Sequence, residues 1–321
     1  MSSLRNLLGE RKGMSSDLQQ MFTDQSSFSE RFFDSSSLTQ EERERLTMVF
    51  ATSLQKEVGS LLDGINYRQH RTADKDPSLS TILHEGIDVW RYLIGIMNLW
   101  GITPEQFQEA FDDRDLFLRM RHDREAVLWN GEPVLIVDMD DVLTDFRQNC
   151  TEWAHQNFPG CVNEDTSVYY NIPQEVYQAF IDARLMRELG CLRGYVDAIN
   201  SLYDQGMWIH ILTARIESDL TLKYDTYAWL DRVGAKFHRV SFSQEKYLWL
   251  AQTDYYRQGR VLAAVDDSPK HAQEYAQHGV SCLVPANPYN ADMPFSRHIF
   301  RCVNSQVFLE MIEDRLKGLS K

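Results

Sequence analysis

The chain has 321 residues, 43% of them hydrophobic and 12% aromatic, and a formal charge of −14. That length and composition fit a cored globular protein with room for two domains, and the acidity, −6 over residues 1–130 and −8 over the rest, argues against a general polyanion-binding surface. No apolar run approaches the ~20 residues needed to span a bilayer, the start MSSLRNLLGERKGMSS lacks the apolar stretch of a secretory signal, and five cysteines without a CxxC pair fit the reduced thiols of a cytoplasmic protein.

Residues 1–38, rich in Ser, Gln and Asp, read as a flexible arm with one or two short helices. From 39 to 130 the pattern is helical. Thr39 with Glu42 three positions on has the form of a capping box, and Thr103 followed by Pro104 marks a second helix start. The stretch Asn130-Gly-Glu-Pro133 marks the domain boundary. After it, short apolar runs at 134–137, 208–212, 239–242, 261–265 and 281–284 alternate with helical stretches. This alternation predicts βαβ units and an α/β, Rossmann-like parallel sheet over 131–321, with a small helical cap at about 147–192.

The densest chemical signal is Val134-Leu-Ile-Val-Asp-Met-Asp-Asp-Val-Leu-Thr-Asp-Phe146. Four apolar residues fit a strand buried on both faces, and it delivers Asp138 and Asp140 into a turn. Two further runs end in polar groups: Trp208-Ile-His-Ile-Leu-Thr213-Ala-Arg215, and Val261-Leu-Ala-Ala-Val-Asp266-Asp267. Ligands of open parallel sheets gather beyond the carboxyl ends of the strands, so these groups are expected on one rim. Clustered carboxylates suit Mg²⁺, and a carboxylate can attack phosphorus. The expected roles are Asp138 as nucleophile, Asp140 as general acid and base, and Thr213, Ala214 and Arg215 as phosphate holders. Lys246 is expected to neutralise charge, with Lys236 and Lys270 as rivals. Asp138, Asp266, Asp267 and the backbone carbonyl of Asp140 are the expected metal ligands.

This ordered set resembles the haloacid dehalogenase-type phosphohydrolases. Asp138-Met-Asp-Asp-Val-Leu-Thr-Asp-Phe146 is similar to the strand-turn of the 5′(3′)-deoxyribonucleotidases, as are Leu192-Arg-Gly-Tyr-Val-Asp and Asn287-Pro-Tyr-Asn290. Thr213-Ala-Arg215, Tyr224, Thr226 and Trp229 resemble the phosphatase half of phage polynucleotide kinases. One departure is Asp141, at a position these families fill with Gly. The resemblance implies a phosphoric monoester hydrolase acting on small nucleotides, without membrane association; nucleic acid is disfavoured by the acidity. A polynucleotide end-healing phosphatase is the alternative. Trp153, His155, Phe158, Tyr169, Tyr170 and Phe180 read either as an aromatic platform for a flat substrate or as cap core, and Arg184 and Arg187 as phosphate-facing or solvated.

In the helical part, Glu57 and the pair Glu85 and Asp88, three apart on one helix face, could hold a second metal. The layout over 45–124 resembles the all-α dimeric dUTPase and MazG-like pyrophosphatases, which implies a homodimer through this domain and roles for Arg114, Asp115 and Arg121. Ser60 stands where that family has a second Glu, with Asp63 one turn further along. This implies nucleotide pyrophosphatase activity, or a degenerate module that senses nucleotide or drives assembly.

Overall fold

The computed structural model describes residues 11–65, 78–161, 172–294 and 296–319. It divides into two compact units, residues 1–112 and 113–321.

The first unit is helical: α1 (Arg11–Ser29), α2 (Gln40–Asp63), α3 (Leu79–Leu99) and the opening of α4 (Pro104–Glu125). The Thr39–Glu42 capping box forms as expected. At the start of α4, Thr103 and Gln106 exchange side-chain-to-backbone bonds of 2.9 and 3.2 Å. Much of the stretch expected as a loose arm is a single helix. Phe22 on α1 is buried and meets Phe107 at 5.9 Å, and Asn98 Nδ2 donates to the Phe22 carbonyl.

The second unit is built on six strands: β1 (Val134–Val137), β2 (Trp208–Thr213), β3 (Arg239–Phe242), β4 (Val261–Val265), β5 (Cys282–Pro285) and β6 (Ile299–Cys302). All pairings are parallel, in the order β3-β2-β1-β4-β5-β6. The helices between them are α5 (Phe146–Asn157), α6 (Gln174–Asp182), α7 (Arg193–Asp204), α8 (Leu220–Val233), α9 (Lys246–Leu250), α10 (Asp254–Arg257), α11 (Pro269–Gln277) and α12 (Ser305–Leu319). This is the α/β parallel-sheet architecture that the alternating runs predict. The sixth strand is the addition: Ile-Phe-Arg-Cys is short, lies at the sheet edge and is buried only at its two ends.

β1 and β2 are buried along their whole length. Side chains alternate between two cores. Leu135, Val137, Ile209 and Ile211 face one, with Val196, Trp229 and Phe308. Val134, Ile136, Trp208 and Leu212 face the other, with Tyr255 and Tyr275. The order of winding reverses at β1 and β4, with β2 and β3 laid to one side of β1 and β4 to β6 to the other, which opens a crevice at their carboxyl ends.

The division at Asp112/Asp113 falls inside α4, earlier than the 130–133 boundary read from composition. The reason is the later half of that helix: Phe117 and Met120 belong to the core of the α/β unit, and Asp113 accepts from Arg184 at 2.6 Å and from Arg187. Both arginines also reach Asp225, which is fully buried. Arg184 and Arg187 are thus spent on this network and are not phosphate-facing. In the cap, Trp153 packs on Phe158 and Phe180, so these rings form cap core. Tyr169 and Tyr170 lie outside the described residues.

Two consequences are measurable. Asp225→Asn leaves two guanidinium groups under-compensated, and breaking such a buried pair costs about 3–5 kcal/mol; urea unfolding should show a loss of that size. His210 is buried between Tyr255 (2.5 Å) and Ser241 (3.0 Å), and burial, with Arg239, lowers its pKa to about 3. The unfolded chain takes up a proton below its ordinary 6.5 that the folded chain refuses. Stability from this group is therefore complete above that pH and is lost toward pH 3. Between pH 7 and pH 5 the stability gap between wild type and His210→Phe should shrink by about 2 kcal/mol.

Candidate active site

The crevice at the carboxyl ends of β1, β2 and β4 collects the predicted residues. Asp138 leaves β1, and Met139 N donates to its Oδ1 at 2.7 Å. Lys246, at the first position of α9 and fully buried, places Nζ 2.7 Å from the same Oδ1 and 2.8 Å from Asp266 Oδ2. Ser268 N donates to the other oxygen of Asp266. Asp267 is buried, and its Oδ2 accepts from Tyr289 Oη at 2.6 Å. Of the rival lysines, Lys236 pairs with Asp204 on the surface, and Lys270 lies by Glu245 and Glu274. Neither enters the site.

Charge dominates this crevice. Burial pushes Asp138 up to about 6, although Lys246 pulls it back. Burial raises Asp266, and burial with the charges of Asp138 and Asp266 holds Asp267 well above the ordinary carboxylate range. For Lys246, burial opposes the charge, but the carboxylates of Asp138 and Asp266 outweigh it and keep the ammonium protonated. One buried cation thus faces three buried carboxylates. Asp138, Asp266 and Asp267 each bring an oxygen within 4.8 Å of the others. An all-oxygen set of this kind fits a hard divalent cation.

Asp140 is held differently. Arg215 grips it with two bonds, Nε to Oδ2 at 2.9 Å and Nη2 to Oδ1 at 2.5 Å. Thr144 adds a third bond at 3.1 Å. Arg215 is buried and anchored in turn by Thr226, 2.9 Å from Nη1. A planar bidentate clamp fixes the carboxylate orientation better than a single bond does. The Asp140 carboxylate stands outside the trio above, and Arg215 serves Asp140 first. Thr213 is buried and its hydroxyl accepts from Arg215 N at 3.3 Å. Ala214 and Arg215 line the cavity, whereas Thr213 does not.

Asp141 sits at φ 55, in the left-handed region. That explains why a Gly fits this turn, since a side chain there costs free energy that Gly avoids. Asp tolerates it, and its Oδ1 accepts from Arg147 N at 2.9 Å across the start of α5. Burial pushes its pKa up to about 7.

The cavity at this rim measures about 50 Å³ and is bounded by Asp138, Asp140, Ala214, Lys246, Asp267 and His271. Nothing in sequence spacing marks His271 or Arg147, which the fold brings to the site from α11 and α5, whereas Tyr289 belongs to the Asn287-Pro-Tyr-Asn290 segment and reaches Asp267 from the loop after β5. In the helical unit, Glu57, Glu85 and Asp88 also bring carboxylate oxygens within 4.8 Å of one another. Asp63 is exposed and outside this trio. Asp115 belongs to the other unit and pairs with Arg119 at 3.0 Å. Arg114 donates to Tyr224 at 3.0 Å.

No family model matches the chain, and no curated protein matches it. Among solved structures, it is similar to the D,D-heptose 1,7-bisphosphate phosphatase of B. bronchiseptica complexed with magnesium and phosphate: 14% identity, 57% of this chain, 98% of that one, TM-score 0.37. It is also similar to a haloacid dehalogenase-like family hydrolase of Xanthomonas campestris, at 10% identity over 60% of this chain and all of that one, TM-score 0.40. A third is a hydrolase of the same type from Deinococcus radiodurans with bound phosphate and sodium, at 13% identity over 58% and 96%, TM-score 0.34.

The turn after β1 gives a stability test. Asp141→Ala loses the bond to Arg147 N and still places a side chain in the left-handed region, whereas Asp141→Gly relieves the backbone. By thermal melting, Asp141→Gly should be the more stable of the two by about 1 kcal/mol.

Proposed function

We propose that this chain is a Mg²⁺-dependent phosphomonoesterase that works through an aspartyl-phosphate and acts on (deoxy)nucleoside monophosphates. The observation that carries the reaction class is Lys246, buried between Asp138 and Asp266, with Asp267 beside them and Asp140 clamped nearby.

Both bonds made by Asp138 fall on Oδ1, so Oδ2 is the attacking atom. It forms a bond to phosphorus as the ester P–O bond breaks, and Asp140 hands a proton to the leaving alcohol oxygen. Asp140 then takes a proton from water as the water oxygen attacks the aspartyl-phosphate. The P–O bond to Asp138 breaks, which frees inorganic phosphate and restores the carboxylate. Lys246 offsets the charge that builds on nucleophile and phosphoryl oxygens. Held by Asp138, Asp266 and Asp267, Mg²⁺ would supply further charge neutralisation and orient the phosphoryl group.

The nucleotide assignment rests on the likeness of Asp138-Met-Asp-Asp-Val-Leu-Thr-Asp-Phe146 to the deoxyribonucleotidases. The Glu57, Glu85 and Asp88 trio supports a second, nucleotide-associated role for the helical unit, as in the MazG-like pyrophosphatases that its sequence resembles.

The test is phosphate and pyrophosphate release from nucleoside mono- and triphosphates with and without Mg²⁺. Asp138→Asn should abolish phosphate release from monophosphates, and Asp140→Asn should slow it by about 10²–10⁴-fold. Glu85→Gln should leave that reaction in place and remove any pyrophosphate release. Full turnover in Asp138→Asn, or none in wild type with Mg²⁺, sinks the proposal.

A further inference from the structure

At the opposite end of the sheet from the reacting crevice, the first residues of β2 and β3, Trp208 and Arg239, line a groove of about 530 Å³. Trp129, Trp249 and Tyr255 contribute further rings to its walls, together with Asp254. The volume is that of an ordinary small-molecule site. We propose that this groove binds a planar aromatic anion, with its ring against the indoles of Trp129 and Trp249 and its acid group on Arg239. No residue that lines the reacting crevice lines this groove, so occupancy here needs nothing from the phosphatase chemistry.

The rings are held in place by the protein itself. Trp129 Nε1 donates to the Glu132 carbonyl at 3.0 Å, and its ring meets Tyr255 edge-on, with centres 5.8 Å apart. Trp249 stands edge-on to His210, 4.8 Å between centres. Trp208 and Tyr255 are buried and serve as backing, whereas Trp129 and Trp249 keep part of their surface open. Ring faces fixed in this way offer stacking at little cost in conformational entropy. Beside Trp129, Leu128 also lines the groove and is 77% exposed, so apolar surface stands uncovered at its edge.

Charge decides what kind of aromatic compound fits. Arg239 opens the edge strand β3 and is exposed. Its guanidinium makes no hydrogen bond or ion pair with any described residue. A planar fork of this kind matches a carboxylate or two oxygens of a phosphate. Asp254, the acid in the wall, lies 3.8 Å from Arg257. It disfavours a second negative charge, so the groove suits a ligand with one acid group over one with several.

The experiment is isothermal titration calorimetry of the full chain with two aromatic anions, indole-3-acetate and adenosine 3′,5′-cyclic monophosphate, which distinguish a carboxylate from a phosphate as the preferred acid group. Neither is a phosphate monoester, so a phosphomonoesterase consumes neither. Indole-3-acetamide and adenosine are the neutral controls, and acetate is the control without a ring. At least one of the two anions should bind at a single site, about tenfold or more tighter than its neutral counterpart, and acetate should give no saturable heat. Arg239→Gln should abolish the preference for the anion. Trp129→Leu should weaken binding about fivefold or more. Asp254→Asn should tighten it, a gain that misfolding cannot produce. Failure of both anions to bind, equal affinity for the neutral compounds, or binding unchanged in Arg239→Gln overturns the inference. None of these outcomes bears on the phosphomonoesterase reading, which is decided by nucleotide turnover.

Discussion

The carboxylate trio at the carboxyl-end rim of the sheet depends on one buried ammonium. Lys246 is shared between Asp138 and Asp266 at bonding distance, in a crevice where burial alone would neutralise the carboxylates. Asp138 leaves β1 and Asp266 leaves β4, the two parallel strands at which the winding order reverses. The ammonium therefore does two things at once. It lets two acids approach one another, and it joins strand ends that would otherwise repel. Among the described residues one ammonium is paired within a trio of three carboxylates, which is the electrostatic case for a divalent cation.

A second carboxylate with a separate partner stands next to this arrangement. Asp140 answers to Arg215 and Thr226, not to Lys246. Two acids two residues apart are thus given different surroundings: one desolvated beside an ammonium, the other clamped by a guanidinium. Sites that need a nucleophile and a proton shuttle from the same residue type are built by such differences of environment.

Much of this was legible in the sequence because it is local. The runs Val134–Val137 and Val261–Val265 announce buried strands and carry their acids at the ends, while the lysine at 246 is favoured by its place at a helix start but is separated from Lys236 and Lys270 only by the structure. The arginine at 215 was visible as part of a strand end, but its bond to Asp140 joins residues 75 apart, and no periodicity encodes that. The same holds for Asp113 with Arg184, 71 apart. β6 escaped because an edge strand of four residues, partly exposed at Phe300 and Arg301, lacks the continuous apolar run that marks its neighbours. The meaning of Asp141 became clear only once its φ of 55 showed what the position requires.

The path of α4 has a practical consequence. A compositional boundary at 130 invites separation of the α/β unit from everything before it. Yet Phe117 and Met120 fill part of that unit's core, and Asp113 supplies one of the two acids facing Arg184 and Arg187. Cut at 130, the α/β unit would expose apolar surface and lose one of the two acids that its paired arginines share. Any attempt to study the halves apart has to leave the last turns of this helix with the sheet, so gene fusion or fission at this junction is constrained by a helix that serves both sides.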